Sequence, residues 1–290
     1  MFSNIASRDE RYNIMNILSG TTVRDALLET LREKISLLSQ PLTLAIFQVG
    51  QNDASAAYIG QKKKMGASLG IAVEHILLDE HVSEEEFLQH IERRNADRAV
   101  TGIIVQLPLP PRLNRRKILD AIAPGKDVDG LGSVQSARLY LGDPSAIAPA
   151  TARGIMSLCE YYTIGLEGRH VVVVGRSDLV GKPTALLALQ HNATVTVCHS
   201  RTQNLPEITR TADILIAACG IPRHIGADHV RAGQVVIDVG IHKTEQGICG
   251  DVDFDAVKDS VSAITPVPGG VGPLTVISLF QNVVDASGNV

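Results

Sequence analysis

Short apolar runs alternate with helical patterns along the chain. Strands are expected at Leu42–Val49, Glu74–Leu78, Gly102–Gln106, His170–Val174, Thr194–Cys198, Ile214–Ala217, Val235–Val239 and Ser262–Ile264. Most are continuously apolar, as parallel strands covered on both faces are. Helical periodicity falls between them, over Thr21–Leu38, Ala54–Leu69, Ser83–Asn95, Arg115–Ile122, Ala152–Tyr161, Gly181–Gln190 and Ala227–Val230. Strand–helix alternation of this kind predicts an α/β protein with parallel sheets. The stretch Asp143–Thr151 (DPSAIAPAT) reads as loop, and a dinucleotide-type strand–turn–helix begins at His170. Two α/β units follow, one over roughly the first half and one from about residue 150. The last helical run, Leu274–Ala286, is apolar nearly all round and is expected to be buried against either unit.

Just before that run lies Thr265–Thr275, TPVPGGVGPLT. Proline fixes φ and removes donors, and glycine admits positive φ and close approach, so no ordinary helix or strand is expected there. A stiff, bare segment between apolar elements is either a tight connection or backbone shaped around a ligand.

Composition narrows the class. The 290 residues are 44% hydrophobic and 20% charged, ordinary for a soluble globular chain. A net charge of −4 argues against general nucleic-acid binding, which needs a basic surplus. No apolar run reaches the roughly 18 residues of a membrane span, and MFSNIASRDERYN lacks the basic and apolar regions of a secretory signal. The cysteines (Cys159, Cys198, Cys219, Cys249) are widely spaced and mostly flanked by apolar residues, which fits small core residues in a reducing cytoplasm. No metal-ligand spacing is present among them or the histidines.

Residues 171–183, VVVVGRSDLVGKP, carry the pattern that brings a pyrophosphate to a helix N-terminus. Gly175 and Gly181 bracket the turn, with Ser177 where a second glycine is usual. A simple βα turn remains the alternative. The next strand ends in His199-Ser200-Arg201-Thr202, without the acid that would hold a ribose 2′-hydroxyl. Arg176 and Arg201 with neighbouring hydroxyls suit a 2′-phosphate, so NADP is expected over NAD; read blandly, the two arginines are solvated loop charges.

On the helix after Asn52–Asp53, Ser55, Tyr58 and Lys62 fall at i, i+3 and i+7 on one face. A hydroxyl, a phenol and an amine there form a proton-handling set, although Lys62-Lys63-Lys64 also fits a solvated face. Burial and like charges would lower the Lys62 pKa toward neutrality. Gln106 closes the strand GIIVQ before LPLP, at the carboxyl end where α/β sheets bind ligands. Asp127 and Asp129 lie in PGKDVDG, where carboxylates either cap backbone or grip an amino-substituted heterocycle.

Together, SxxYxxxK at Ser55–Lys62, VQLPLP, KDVDG, VVVVGRSxxVGKP, TVTVCHSRT, VIDVGI, GDVDF and TPVPGGVGPLT occur in this order over nearly the whole chain. This resembles the bifunctional methylenetetrahydrofolate dehydrogenase/methenyltetrahydrofolate cyclohydrolase family. The resemblance implies oxidation of 5,10-methylenetetrahydrofolate by NADP+, then hydrolysis of the 5,10-methenyl product to 10-formyltetrahydrofolate. It implies Lys62 as general acid/base, Gln106 in its support, Tyr58 against the folate, and Asp129 on the pterin. Ser55, Gly272 and Thr275 would line the folate site. Gly175, Arg176, Ser177, Gly181, Ser200, Arg201 and Ile241 would surround the cofactor, and no metal is implied. It further implies a catalytic domain over 1–148, a Rossmann-like NADP domain over 149–273, a C-terminal helix (274–290) returning to the first, a homodimer formed through the cofactor domain, and a role in one-carbon metabolism and purine biosynthesis.

Two departures from the family's wording stand out. After KDVDG the chain reads LGSVQSARL, with Gln135 and Ala137 for the usual asparagine and glycine, and PATARG places Ala150 where cysteine is usual. They bear on substrate fit and the balance of the activities. The residues alone also admit a shikimate-type dehydrogenase, with Lys62 and Asp129 as its lysine–aspartate pair, or a nucleotide-binding paralogue of reduced activity.

Overall fold

The apolar runs become two parallel sheets in the computed structural model, which describes residues 16–288. Residues 1–15, on which the expectation about a secretory signal rests, lie outside the described residues. The described residues begin with β1 (Asn16–Ile17) and α1 (Gly20–Ser36), then β2 (Thr43–Val49), α2 (Asp53–Leu69), β3 (Ala72–Leu78), α3 (Glu84–Ala96), β4 (Gly102–Val105), α4 (Arg115–Asp120), α5 (Ser133–Leu141) and α6 (Ala150–Tyr161). There follow β5 (His170–Val174), α7 (Gly181–Gln190), β6 (Thr194–Cys198), α8 (Leu205–Thr209), β7 (Ile214–Ala217), β8 (Val235–Asp238), β9 (His242–Thr244), β10 (Gly247–Cys249), α9 (Phe254–Val257), β11 (Ala263–Ile264) and α10 (Val271–Ser287). No helix among the described residues is long and apolar enough to cross a membrane.

One sheet has the order β3-β2-β4 and the other β1-β11-β8-β7-β5-β6, each parallel throughout; β9 and β10 form a separate antiparallel hairpin. Strand β1, from the amino-terminal part, thus extends the second sheet, an exchange that sequence order does not suggest. Strands β5 and β7, inside the larger sheet, and β4, at the edge of the smaller one, are buried along nearly all their length, as their continuous valines and isoleucines require.

Helix α10 packs on α6, α1 and α2 and is buried along nearly its whole length. Close approach is set by small residues: a Cβ on Gly154 of α6 would lie 2.9 Å from Leu274 Cβ. Asn282 donates from Nδ2 to the carbonyls of Val128 (2.8 Å) and Ala148 (3.0 Å), and accepts from Arg153 (2.7 Å). These bonds tie α10 to the turn between α4 and α5 and to α6.

The expectation that all of Thr265–Thr275 is non-helical is corrected. Helix α10 begins at Val271, inside the motif. Pro273 sits in its first turn, where an N–H has no intrahelical partner to lose. Only Thr265–Gly270 is loop. It is fastened to the start of α1, where Gly20 N–H (2.8 Å) and Thr21 N–H (3.2 Å) both donate to the Gly269 carbonyl. Residue 20 must be glycine for this approach, since a Cβ would overlap the Gly270 carbonyl.

Candidate active site

Lys62, in the third turn of α2, points across the carboxyl end of the first sheet, where it meets Gln106 just past β4. Lys62 Nζ donates to Gln106 Oε1 at 3.0 Å. Gln106 is held from both ends: its N–H donates to Phe47 O (2.8 Å) and its Nε2 to Leu107 O (3.0 Å), which turns the amide oxygen toward the lysine. Burial pushes the Lys62 pKa down, and the nearby Asp129 carboxylate only partly restores it.

The KDVDG turn separates its two acids. Asp127 accepts from Gly130 N–H (3.0 Å) and Gly132 N–H (2.8 Å), so it caps the turn leading into α5; burial raises its pKa to about 6 against those bonds. Lys126 donates to the carbonyls of Arg94 (3.1 Å) and Asp97 (2.6 Å). Asp129 alone of the charged residues in this turn reaches the cavity beside Lys62. Protein encloses it on the other sides, and this burial raises its pKa, opposed by Lys62 and then Arg115.

A cavity of about 470 Å³ brings together Tyr58, Lys62, Gln106, Asp129, Gly272 and Thr275, with Ile241 on the far wall. Thr275 lies 3.2 Å, oxygen to oxygen, from Thr151 of α6, which closes the base. A second lobe of about 1050 Å³ shares Tyr58, Ile241 and Gly272 and continues along Pro266–Gly270. Ser55 lies on α2, but its side chain is outside the described residues.

The remaining expected residues gather on the neighbouring turn. Gly175 follows β5 with φ +137°, and a Cβ there would fall 2.1 Å from Ala218 O. A Cβ on Gly181 would fall 2.2 Å from Gly175 O, so both glycines are required by the tightness of the loop. Ser177 Oγ accepts from Val180 N–H (3.2 Å) and Gly181 N–H (3.4 Å); the hydroxyl that replaces the usual glycine therefore caps α7 and keeps its own proton to donate. Among the described residues, the N–H groups of Arg176 and Ser177 donate to no protein acceptor, and neither Arg176 nor Arg201 forms an ion pair. Because Val174 pairs with Cys198, Arg176 and Ser200–Arg201 emerge from adjacent strand ends. Free donors, two free guanidinium groups and no acid at the end of β6 fit a phosphorylated dinucleotide. Leu179 and Val180 carry this loop to the wall of the 470 Å³ cavity, where it meets the Lys62 side.

Sequence reading missed Thr151, Leu179, Val180 and Val239 as cavity residues, and Gly20 as a support of the Pro-Gly loop. Val239 could have been found from the rule that ligands sit beyond strand carboxyl ends. Thr151 carries no such signal.

A nucleotide-type loop bordering a cavity that holds a lysine, an amide and a carboxyl group defines a two-part α/β dehydrogenase with proton-transfer groups in the same cleft. The tetrahydrofolate dehydrogenase/cyclohydrolase catalytic-domain model matches residues 18–129, and the model of that family's NAD(P)-binding domain matches residues 149–289. The chain belongs to the tetrahydrofolate dehydrogenase/cyclohydrolase family. It is 45% identical over 275 residues to the bifunctional protein FolD of Agathobacter rectalis, covering 93% of this chain and 98% of that one. The FolD crystal structure from Campylobacter jejuni superposes with a TM-score of 0.93 at 40% identity, covering 96% of this chain and all of that one. The Trypanosoma brucei FolD, complexed with NADP cofactor and inhibitor, gives 0.89 at 33% identity over 95% of this chain and 98% of that one. Family membership displaces the shikimate-type alternative.

Proposed function

We propose that the chain oxidises 5,10-methylenetetrahydrofolate with NADP+ and hydrolyses the 5,10-methenyl product to 10-formyltetrahydrofolate in the same cleft. The observation that carries this reading is the Lys62–Gln106 contact beside Asp129, in a cavity whose opposite wall is the dinucleotide loop. Arg176, Ser177, Ser200 and Arg201 would hold the cofactor's phosphates, Arg176 and Ser200 the 2′-phosphate, and Gly175, Gly181 and Ile241 would shape its bed. NADP+, when bound there, would supply the acceptor for the hydride leaving the one-carbon bridge.

The chain's own residues orient the substrate and move protons. Asp129 binds the pterin amino group and ring nitrogen, and Tyr58 packs on the folate. Gly272 and Thr275 close the folate site opposite the lysine, and Ser55 lies on the same helix face as Tyr58. For hydrolysis, water adds through oxygen to the methenyl carbon as Lys62, whose pKa burial lowers, takes its proton. The adduct opens as its hydroxyl releases the remaining proton to solvent and becomes the formyl carbonyl, the carbon–N5 bond breaks, and the same amine returns the first proton to that nitrogen. Gln106 accepts from the amine and fixes its direction. Hydride departure needs no protein acid, so there the enzyme's contribution is orientation.

A division into residues 1–148 with 274–290 and residues 149–273 is supported by the two separate parallel sheets, with β1 crossing to the second. A homodimer through the cofactor domain is supported by the open edge at β6, where Val197 is 41% exposed. A cytoplasmic setting accords with four free cysteines. The test is purified protein with methylenetetrahydrofolate and NADP+ or NAD+, followed separately at the nicotinamide and methenyl absorbances. Reduction without consumption of the methenyl species, or a preference for NAD+, defeats the corresponding part. Light scattering in solution tests the dimer.

A further inference from the structure

Asp238, the last residue of β8, is buried and makes no contact with Lys62 or Gln106, yet it organises much of the cleft's far wall. Its Oδ1 accepts from Gly240 N–H (3.0 Å) and Asp251 N–H (2.9 Å), and its Oδ2 from Val252 N–H (3.0 Å). Its own N–H donates to Thr265 Oγ1 (2.7 Å), at the head of the Pro-Gly loop. Neighbouring glycines make room for the carboxylate: a Cβ on Gly250 would overlap Oδ2, and one on Gly240 would overlap Asp251. Asp251 continues the network to Gly220 N–H (2.9 Å) beyond β7 and to His242 Nε2 (2.7 Å) on β9. The carboxylate thus joins Val239–Ile241 to Gly250–Val252, and the backbone N–H of the same residue ties them to Thr265. The first segment lines both the wall facing Lys62 and the larger lobe, and the Pro-Gly loop that Thr265 heads lines the larger lobe.

We infer that Asp238 is a positioning residue for the dehydrogenase reaction, setting the curl of Val239–Ile241 against which the nicotinamide cofactor is seated. A neutral carboxamide of the same shape cannot replace it, because its NH2 would confront the Val252 N–H, donor against donor. The lysine, amide and acid assigned to hydrolysis stand on the first sheet's side, outside this network, so the two activities separate. The inference rests on the bifunctional reading proposed above.

The experiment compares Asp238→Asn with the parent protein in three measurements: NADPH binding by fluorescence, the two activities assayed separately, and amide hydrogen exchange without ligand. The expected result is at least a fivefold rise in the NADPH dissociation constant and in the NADP+ KM. Hydrolysis of supplied methenyltetrahydrofolate stays within about twofold, and exchange quickens over residues 239–252 only. A parallel fall of both activities, or unchanged cofactor affinity, overturns the inference. If Asp238→Asn does not fold, Thr265→Val removes one arm of the network and is read by the same criteria. Failure of the parent protein to show both activities would instead count against the bifunctional reading, leaving the binding and exchange measurements to judge Asp238.

Discussion

Replacing Lys62 by methionine separates the two chemistries most directly. Methionine approximates the length of the lysine stem and removes the amine. General acid–base groups contribute typically 10²–10⁴-fold, so hydrolysis should fall by that factor, or about 2.7–5.4 kcal/mol of transition-state stabilisation. The dehydrogenase should stay within roughly tenfold, since no protein group accepts the hydride. Stability should hardly change. The variant loses one hydrogen bond, the 3.0 Å contact to Gln106, whose net worth is of order 1 kcal/mol, and sheds the desolvation cost of burying a polar amine. Gln106 Oε1 faces the cavity, where water can replace the amine. Lys62→Arg should lose hydrolysis as well, because a guanidinium stays protonated and cannot serve as base. The assay measures disappearance of methenyltetrahydrofolate, corrected for its spontaneous hydrolysis, beside NADPH formation from the methylene substrate. Intact hydrolysis in Lys62→Met refutes the assignment. A joint loss of both activities with an unchanged melting temperature would make Lys62 a folate-binding group instead.

Four further outcomes follow from the same geometry. Gly272→Val directs bulk at Ile241 Cδ1, which lies 2.9 Å from the first added carbon and can move; folate turnover should drop more than tenfold while stability stays within about 1 kcal/mol, and equal losses would make Gly272 structural. Gly181→Ala meets fixed backbone 2.2 Å away, so NADPH binding should weaken roughly ten- to hundredfold, consistent with about 1–3 kcal/mol of overpacking, and the melting temperature should fall with it; unchanged titration curves would contradict the tight loop. Arg176→Ala should lower kcat/KM with NADP+ by about 10–100-fold, the worth of a charged hydrogen bond, and leave NAD+ nearly unaffected; equal effects on both would remove Arg176 from the 2′-phosphate. Asp127 and Asp238 both have folded pKa values raised from 3.8 to about 6 by burial, so the folded state binds more protons than the unfolded one between those values. Their contribution to stability is therefore present below about pH 4 and is lost as pH rises through 6; denaturant midpoints should be higher at pH 5 than at pH 7, and midpoints that rise with pH across that interval would refute it.

Strands such as β5 and β7 were legible because continuous valine and isoleucine runs have one stable destination, a sheet covered on both faces. Helix α5 was not. Its apolar Val134, Tyr140 and Leu141 are exposed while polar Gln135 is buried, so periodicity points away from the buried face. The β9–β10 hairpin is short and largely exposed, and carries no hydrophobic alternation to find. In the site, the face shared by Tyr58 and Lys62 could be read from helical spacing. The contact of Lys62 with Gln106 crosses 44 positions and depends on how α2 lies over the sheet. Asp127 and Asp129 look equivalent in sequence; only the backbone donors of Gly130 and Gly132 decide which of them is taken up by the turn.

The same distinction applies to the chain's departures from its family's wording. Gln135 lies away from the cavity, where it donates to Pro124 O (2.7 Å) and accepts from Ile147 N–H (2.9 Å), clasping the loops on either side of α5. Both loops lead to cleft residues, Asp129 on one side and Thr151 on the other, so a side chain remote from the chemistry still fixes the separation of the groups that perform it. Its longer reach allows one buried amide to span two backbone segments, and the donor and acceptor demands of that amide are each met. Ala150 is different, because it lies in the cavity wall beside Thr151. There the methyl group offers the substrate neither a hydrogen bond nor a thiol. Of these two departures, Gln135 bears on how the cleft is held together, and Ala150 on what it touches.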